Sequence, residues 1–278
     1  MTGALIGAPV LFITWIINSV YIKYDCLSRI IVCTVLFACT SALYANDRVT
    51  LSTGVDYSKG AYGATSDTDI WYIPFSVKLE KPTIVYKLTV PFIQITGPGY
   101  VTGADADPSG TGGSGQTTES GMGDIIASAS YALVPYQPEQ PAIDITAKIK
   151  FPTADESRGL GTGETDYYLQ ADGLYGSGKL TTFGTLGYKI YGDPPGVNYK
   201  NVFYFSLGGS FSFTNIFSSG FIYDFREAAM ANGTEVKEVL GFASKKLDEN
   251  KKVLVYLVKG LSDGSPDWAI GINFGYVL

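Results

Sequence analysis

From Val49 onward the sequence alternates between apolar and polar residues, and this alternation recurs in twelve segments. The clearest is 143–151, where apolar residues at every second position are separated by Asp144, Thr146 and Lys148. Successive side chains of a strand point to opposite faces, so the pattern predicts strands with one apolar face. Repeated segments of about ten residues are typical of a barrel that crosses a membrane. We therefore predict an all-β fold, a transmembrane antiparallel β-barrel of about 12 strands.

The links between the twelve segments alternate in length. Short links lie near 80–83, 135–141, 176–179, 214–219 and 248–251. Long links lie near 58–69, 96–122, 153–165, 192–201, 227–235 and 260–267. Outer-membrane barrels have short periplasmic turns, longer external loops and an even number of strands. The pattern predicts a protein of the bacterial outer membrane with both termini on the periplasmic side.

A soluble sandwich or jelly roll is the alternative fold, because period-two alternation also describes those folds. The alternating loop lengths favour the barrel, and so does the last segment, which is apolar on one face up to the final residue. That face carries Ile272, Phe274, Tyr276 and Leu278, and we interpret the segment as the barrel-assembly strand. The 33 glycines, 20 tyrosines and 15 phenylalanines agree with a sheet-rich chain.

Residues 29–45 have the features of a cleavable export signal. They begin with Arg29, continue through an apolar stretch and end at the small residue Ala45. We interpret 1–45 as a signal or targeting segment and 46–278 as the barrel. A start of translation at Leu27 would make residues 1–26 a start-site artefact, whereas the apolar run 5–22 is alternatively a short membrane anchor.

Composition excludes several classes of function. The formal net charge is -6 and the isoelectric point is about 4.7, so a nucleic-acid partner is not expected. The three cysteines lie in the first 39 residues, which leaves no thiolate metal site in the barrel. The chain has no histidine, the usual base of outer-membrane hydrolases, so we expect no enzyme, no cofactor and no metal. Residues 105–110 resemble the start of a calcium loop, but Gln116 stands where glutamate is required.

The polar face of the strands should line the lumen, because the outer face must contact lipid. Six basic and four acidic residues fall on that face: Lys78, Lys87, Asp124, Asp144, Lys148, Lys150, Asp172, Lys189, Asp224 and Arg226. They form either a solute pathway or a structural network that partly fills the barrel. Lys148 and Lys150 should attract anions or carboxylates unless Asp144 or a neighbouring strand offsets their charge.

Several motifs resemble one known family. They are Ser120–Asp124, Leu160–Tyr167, Gly187–Lys189 and Val258–Trp268, of which the last is the most specific. Together they resemble the outer-membrane transporter family named for the meta-pathway of phenol degradation, over nearly the whole of 46–278. The resemblance implies a barrel for uptake of small compounds, aromatic or hydrophobic ones included, and it carries no site residues with it.

We therefore predict an outer-membrane channel or transporter for small compounds. Its expected partners are outer-membrane lipids, the barrel-assembly machinery and a small-molecule solute. The alternative is an occluded barrel with a structural or surface-interaction role and no transport.

Overall fold

The computed structural model describes residues 47–64, 66–98 and 116–278. The expected signal segment 1–45 lies outside the described residues. The strands are β1 (Arg48–Gly60), β2 (Thr68–Glu80), β3 (Ile84–Pro98), β4 (Gln116–Met122), β5 (Ile125–Val134), β6 (Ala142–Phe151), β7 (Asp166–Ser177), β8 (Leu180–Ile190), β9 (Val202–Ser212), β10 (Phe217–Arg226), β11 (Val236–Lys246), β12 (Lys251–Gly260) and β13 (Trp268–Val277).

These strands form a closed antiparallel barrel. β1 pairs with β2 on one side and with β13 on the other, so the sheet has no free edge around its circumference. β4 and β5 both pair with β3 and form two parts of one wall strand, interrupted at Gly123 and Asp124. The wall therefore has twelve strand positions, which confirms the predicted fold. Closure gives the backbone N–H and C=O groups partners on neighbouring strands, as a membrane interior requires.

The expected long link 96–122 was wrong in its limits. β3 continues to Pro98, and β4 pairs with this extension, Gln116 opposite Pro98 and Met122 opposite Phe92. The extension of β3 offers backbone N–H and C=O groups along its edge. A segment that returns beside this edge can pair with them, whatever its side chains are. The expected calcium-like stretch 105–110 lies within 99–115, outside the described residues.

The connections confirm the predicted alternation of length. At one end, called here the short-turn end, the links are 81–83, 135–141, 178–179, 213–216 and 247–250. At the other, called the long-loop end, the described links are 61–67, 152–165, 191–201, 227–235 and 261–267, apart from residue 65. One 3-10 helix, Glu156–Arg158, lies in the second of these loops. Among the described residues, no helix has the length and apolar character needed to cross a membrane.

The outer surface of the barrel is a broad apolar band. Among its exposed large side chains are Phe75, Leu169, Leu186, Phe203, Leu207, Phe221 and Leu257. Tyr57 packs against Trp71 and Trp268 near the long-loop end, with ring centroids 4.8 and 5.3 Å away. Aromatic girdles around an apolar band are what the lipid interfaces of an outer-membrane barrel require.

The last strand joins this band at the seam of the barrel. Ile272, Phe274 and Tyr276 are all exposed on the outer face. Leu278 follows the strand, and its N–H donates to the carbonyl of Val49 at 2.9 Å. The C-terminal segment therefore closes the ring against β1.

Candidate functional site

The barrel encloses a cavity of about 530 Å³ towards the long-loop end. Four of the ten expected lumen residues line it: Lys148, Lys189, Asp224 and Arg226. Polar side chains that the sequence did not single out line it too, among them Tyr168, Gln170, Thr185, Tyr204, Ser206 and Glu238. Each belongs to a strand whose alternate residues are apolar and exposed on the outside. The cavity is therefore polar on several strands inside an apolar cylinder.

Two further pairs of expected lumen residues lie nearer the short-turn end. Lys78 and Lys87 are directly opposite each other on β2 and β3, and Lys78 Nζ lies 3.1 Å from Glu80 Oε1. Asp144 and Asp172 are opposite each other on β6 and β7. Like charges that face each other across a strand pair destabilise a sheet, so these positions are not optimised for sheet stability alone.

The remaining two, Lys150 and Asp124, belong to a buried ion network at the long-loop end. Lys150 Nζ lies 2.9 Å from Asp166 Oδ2 and 3.3 Å from Asp124 Oδ2, and it donates to Thr162 Oγ1 at 3.2 Å. Lys189 Nζ also lies 3.3 Å from Asp166 Oδ2. The side chains of Asp166 and Lys189 are almost fully inaccessible to solvent. Lys150 and Asp124 therefore take part in a structural ion network, one of the two roles that the sequence allowed for the charged residues.

The network holds the loop 152–165 against the barrel wall. Asp124 Oδ1 accepts hydrogen bonds from the N–H groups of Thr153 and Ala154, both at 3.0 Å. Arg158 Nε of the same loop donates to Glu119 Oε2 of β4 at 2.8 Å. The loop is therefore fixed by charged contacts at its first residues and at its middle.

The middle of this loop folds into the mouth of the barrel. Leu160 is buried and packs in an apolar cluster with Ile70, Ile93 and Ile95 of the inner wall and with Tyr62 of the first loop. Burial raises the pKa of the Tyr62 phenol, which stays protonated and donates to Ser58 Oγ at 2.6 Å. The long-loop end is thus narrowed on the side of β2 and β3.

A second apolar cluster narrows the mouth on the opposite side. It consists of Tyr191 and Tyr199 from one loop, Val202 from β9 and Ala229 from another loop. The rings of Tyr191 and Tyr199 stack with centroids 4.8 Å apart, and Lys189 Nζ lies 3.8 Å from the Tyr191 centroid. A cation over an aromatic face is attracted to it, so this contact couples the ion network to the loop.

Deeper in the lumen, Asp172 is the centre of a hydrogen-bond network. Its carboxylate accepts from the hydroxyls of Thr146 at 2.8 Å and Thr185 at 2.7 Å, and from the Gln170 amide at 2.6 Å. Gln170 in turn accepts from the hydroxyl of Tyr204 at 2.8 Å. The network joins β6, β7, β8 and β9 across the inner face.

Aromatic side chains lie flat on the inner wall where the neighbouring strand has glycine. A Cβ on Gly187 would overlap the ring of Tyr204, and one on Gly271 would overlap the ring of Tyr256. The Tyr256 hydroxyl donates to Asp56 on the next strand but one. These glycines let large rings line the lumen without filling its centre.

Sequence reasoning missed the residues of the mouth. Alternation assigns a face to a strand residue, but it assigns no position to Tyr62, Leu160 or Tyr191, which lie in loops. Glu238 was missed because the phase of its segment was ambiguous, and Tyr168 and Tyr204 because only charged residues were selected. Among the described residues, no group of three or more His, Cys, Asp or Glu side chains is placed to hold a metal ion.

The solved structures that are similar to this fold include the following two. One is the COG4313 outer membrane channel from Pseudomonas putida F1, with 15% identity, a TM-score of 0.63, and coverage of 85% of this chain and 97% of that chain. The other is the NanC porin, with 8% identity, a TM-score of 0.53, and coverage of 81% and 98%. Comparison with curated protein sequences gave no match. The first is an outer membrane channel and the second is a porin.

The motifs that resembled one family agree with a match over the whole barrel. The family described as "Putative MetA-pathway of phenol degradation" matches residues 49–278, from the second residue of β1 to the last residue of the chain. This range contains every strand position of the closed ring except the first residue of β1. The chain is a β-barrel of the bacterial outer membrane and belongs to that family.

Proposed function

We propose that the barrel is a channel through which a small organic solute crosses the outer membrane into the cell, and that it catalyses no reaction itself. The observation that carries the proposal is the cavity of about 530 Å³, lined by charged, polar and apolar side chains, inside an apolar cylinder. A structural barrel that passes no solute would gain stability if packed side chains filled that space. The similar channel from Pseudomonas putida and the similar NanC porin support passage as the function of this architecture.

The loops at the long-loop end give the channel a narrow outer mouth. Leu160 on one side and the stacked pair Tyr191 and Tyr199 on the other restrict what reaches the cavity. The family name suggests that small aromatic compounds are among the solutes. Tyr168 and Tyr204 line the cavity and offer ring surfaces that such compounds contact.

The rival function is that of an occluded barrel in the envelope. The observation that favours it is the buried network of Lys150, Asp124, Asp166 and Lys189, which fixes a loop across part of the mouth. A network of this kind is also what holds a permanent constriction in a working channel. Its presence is therefore compatible with both functions, and a measurement of conductance separates them.

The test is a planar-bilayer recording on purified, refolded protein. We expect discrete, reproducible conductance steps from barrel that shows the heat-dependent gel mobility of a folded outer-membrane protein. Folded protein that inserts and stays silent at all voltages would reject the channel and favour the occluded barrel.

Three accompanying proposals concern the export of the chain, its insertion into the outer membrane and its orientation there. We propose that 1–45 is an export signal removed after Ala45, that the barrel-assembly machinery inserts the protein, and that the short-turn end faces the periplasm. Support for the orientation comes from loop lengths, since external loops are the longer ones in outer-membrane barrels. Intact-mass measurement of the protein extracted from membranes, and protease cleavage of the 152–165 loop on whole cells, test the first and third proposals.

A further inference from the structure

Eight charged residues of the lumen are sorted by sign into two rows that run across the strands, and Arg226 and Asp56 lie outside these rows. In the first row, Lys78 lies opposite Lys87, and Lys87 lies opposite Ser128 of β5. Ser128 lies opposite Lys148, which faces Tyr168, which in turn faces Lys189. This row, called here the basic track, spans six neighbouring strand positions and carries no carboxylate.

The second row has the opposite sign. Asp144 lies opposite Asp172, which faces Thr185, which in turn faces Ser206 of β9. Ser206 then lies opposite Asp224, and Asp224 opposite Glu238. This row, called here the acidic track, also spans six strand positions, and it carries no cation.

Both tracks run from one end of the barrel to the other. The basic track begins at Lys78, close to the last residue of β2 at the short-turn end, and finishes at Lys189, next to the last residue of β8 at the long-loop end. The acidic track begins at Asp144 near the start of β6 and finishes at Glu238 near the start of β11. Strands of a barrel are tilted to its axis, so rows that follow the register climb along the lumen.

The two tracks are parallel and separated by one row of mostly uncharged side chains. On β6 the order is Lys148, Thr146, Asp144, and the four-residue spacing corresponds to about 13 Å along the strand. The intervening row continues through Gln170, Gly187 and Tyr204 before it reaches Arg226. The parts of both tracks that are nearer the long-loop end line the same cavity.

The like-charge pairs indicate that this sorting by sign does not follow simply from the lumen being polar. Lys78 with Lys87, Asp144 with Asp172, and Asp224 with Glu238 are each directly opposite on paired strands. Such pairs are unfavourable in a sheet, and an internal salt-bridge network would mix the signs instead. Local contacts offset two of these charges, Lys78 by Glu80 and the buried Lys189 by Asp166, and the residues that form each track still carry a single sign.

We propose that the two tracks select solutes that carry both a positive and a negative group. A solute with one net charge is attracted to one track and repelled by the other along the whole lumen. A zwitterion can turn its negative end to the basic track and its positive end to the acidic track throughout its passage. Charges on low-dielectric walls focus the field in the space between them, which strengthens this preference. The inference rests on the proposed function, because it requires solutes to pass.

The experiment compares three solutes of similar size and fixed charge in vesicles that contain the barrel. They are a propyl sulfobetaine, propanesulfonate and propyltrimethylammonium, each present at equal concentration inside and outside, with exchange followed by an isotopic label. Bilayer conductance is recorded first on the same preparation. We expect the sulfobetaine to exchange about tenfold faster than either single-charge solute, the lower end of what field focusing provides.

Variants of each track identify the source of the preference. Lys78→Gln, Lys87→Gln and Lys148→Gln together should speed exchange of the cation and remove the preference for the zwitterion. Asp144→Asn, Asp224→Asn and Glu238→Gln together should do the same for the anion. The matched control is Lys245→Gln with Lys259→Gln. These two lysines lie on the outer face of β11 and β12, so the control should behave as the parent protein.

The outcomes separate this inference from the proposed function. A barrel that conducts but exchanges all three solutes equally overturns the inference and leaves the channel intact. A preference for the zwitterion that survives both sets of substitutions also overturns it. A parent barrel that does not conduct rejects the channel and the inference with it. If a triple variant does not fold, the single variants Lys87→Gln and Asp224→Asn are measured for the same two opposite shifts.

Discussion

Lys150 of β6 and Asp166 of β7 face each other across the strand pair, with 2.9 Å between Lys150 Nζ and Asp166 Oδ2. Asp166 also holds Lys189, so one buried carboxylate serves two ammonium groups. We expect Asp166→Asn to lower the free energy of unfolding by about 3–5 kcal/mol, because it leaves buried cations without their shared partner. Guanidinium unfolding in detergent, followed by tryptophan fluorescence, measures this change.

The control for this prediction is Asp248→Asn in an exposed turn. Asp248 accepts from Lys251 Nζ at 3.0 Å in an ion pair open to water, where such pairs contribute little to stability. Equal stability of the Asp166 and Asp248 variants would show that the buried network does not support the barrel.

Leu160→Ala should widen the outer mouth. Leu160 is almost fully buried against Ile93 and Ile95, and truncation of a buried leucine costs about 2–5 kcal/mol of local packing. We expect the loop 152–165 to leave the inner wall more often, which raises the mean single-channel conductance and its fluctuation. Leu186→Ala changes the same residue type on the lipid-facing surface and should leave the conductance as it is. Unaltered conductance of the Leu160 variant would mean that this loop is not the constriction.

A side chain at Gly187 should push the ring of Tyr204 into the lumen. No space exists for a Cβ between Gly187 and that ring, whereas nothing lies within 4 Å of the position a Cβ would take on Gly241. Gly187→Ala should therefore reduce conductance, and Gly241→Ala should not. The double variant Gly187→Ala with Tyr204→Ala should recover the lost conductance. Failure of this rescue would place the effect of Gly187 elsewhere than at Tyr204.

Lys148 and Lys150 should respond differently to the same change. Lys148 lines the cavity, so Lys148→Glu should shift the reversal potential towards cation preference in a salt gradient. Lys150 is buried between Asp124 and Asp166, so Lys150→Glu places three carboxylates together and should prevent folding of the barrel. A folded Lys150→Glu barrel with altered ion preference would contradict this distinction.

The twelve strands could be predicted because each must satisfy the same constraint, an apolar outer face opposite a polar inner one. The segment 143–151 shows it without exception, and its strand runs from Ala142 to Phe151. β4 could not be predicted in this way. Its sequence, from Gln116 to Met122, has no apolar alternation, and it forms because β3 extends beyond the residues that pair with β5 and offers backbone partners.

For the functional residues, the sequence predicts only which face of a strand each side chain occupies, that is, the strand parity. Parity groups Lys148 and Lys150 on one face, yet one lines the cavity and the other is buried beneath a loop. The difference arises from how 152–165 folds back, which depends on contacts such as that of Leu160 with the inner wall. Sorting of charges into two tracks was also out of reach, since it depends on the register between strands and not on any strand alone.

The seam between β1 and β13 joins the two ends of the described chain. Thr50 lies opposite Val277, and ten consecutive residue pairs hold the two strands together. Contacts between residues this far apart form late and slowly when a polypeptide folds. Until the seam forms, the first and last strands each expose a row of unpaired backbone groups that hydrocarbon does not tolerate. Entry into the bilayer and completion of the ring must therefore be one coupled event.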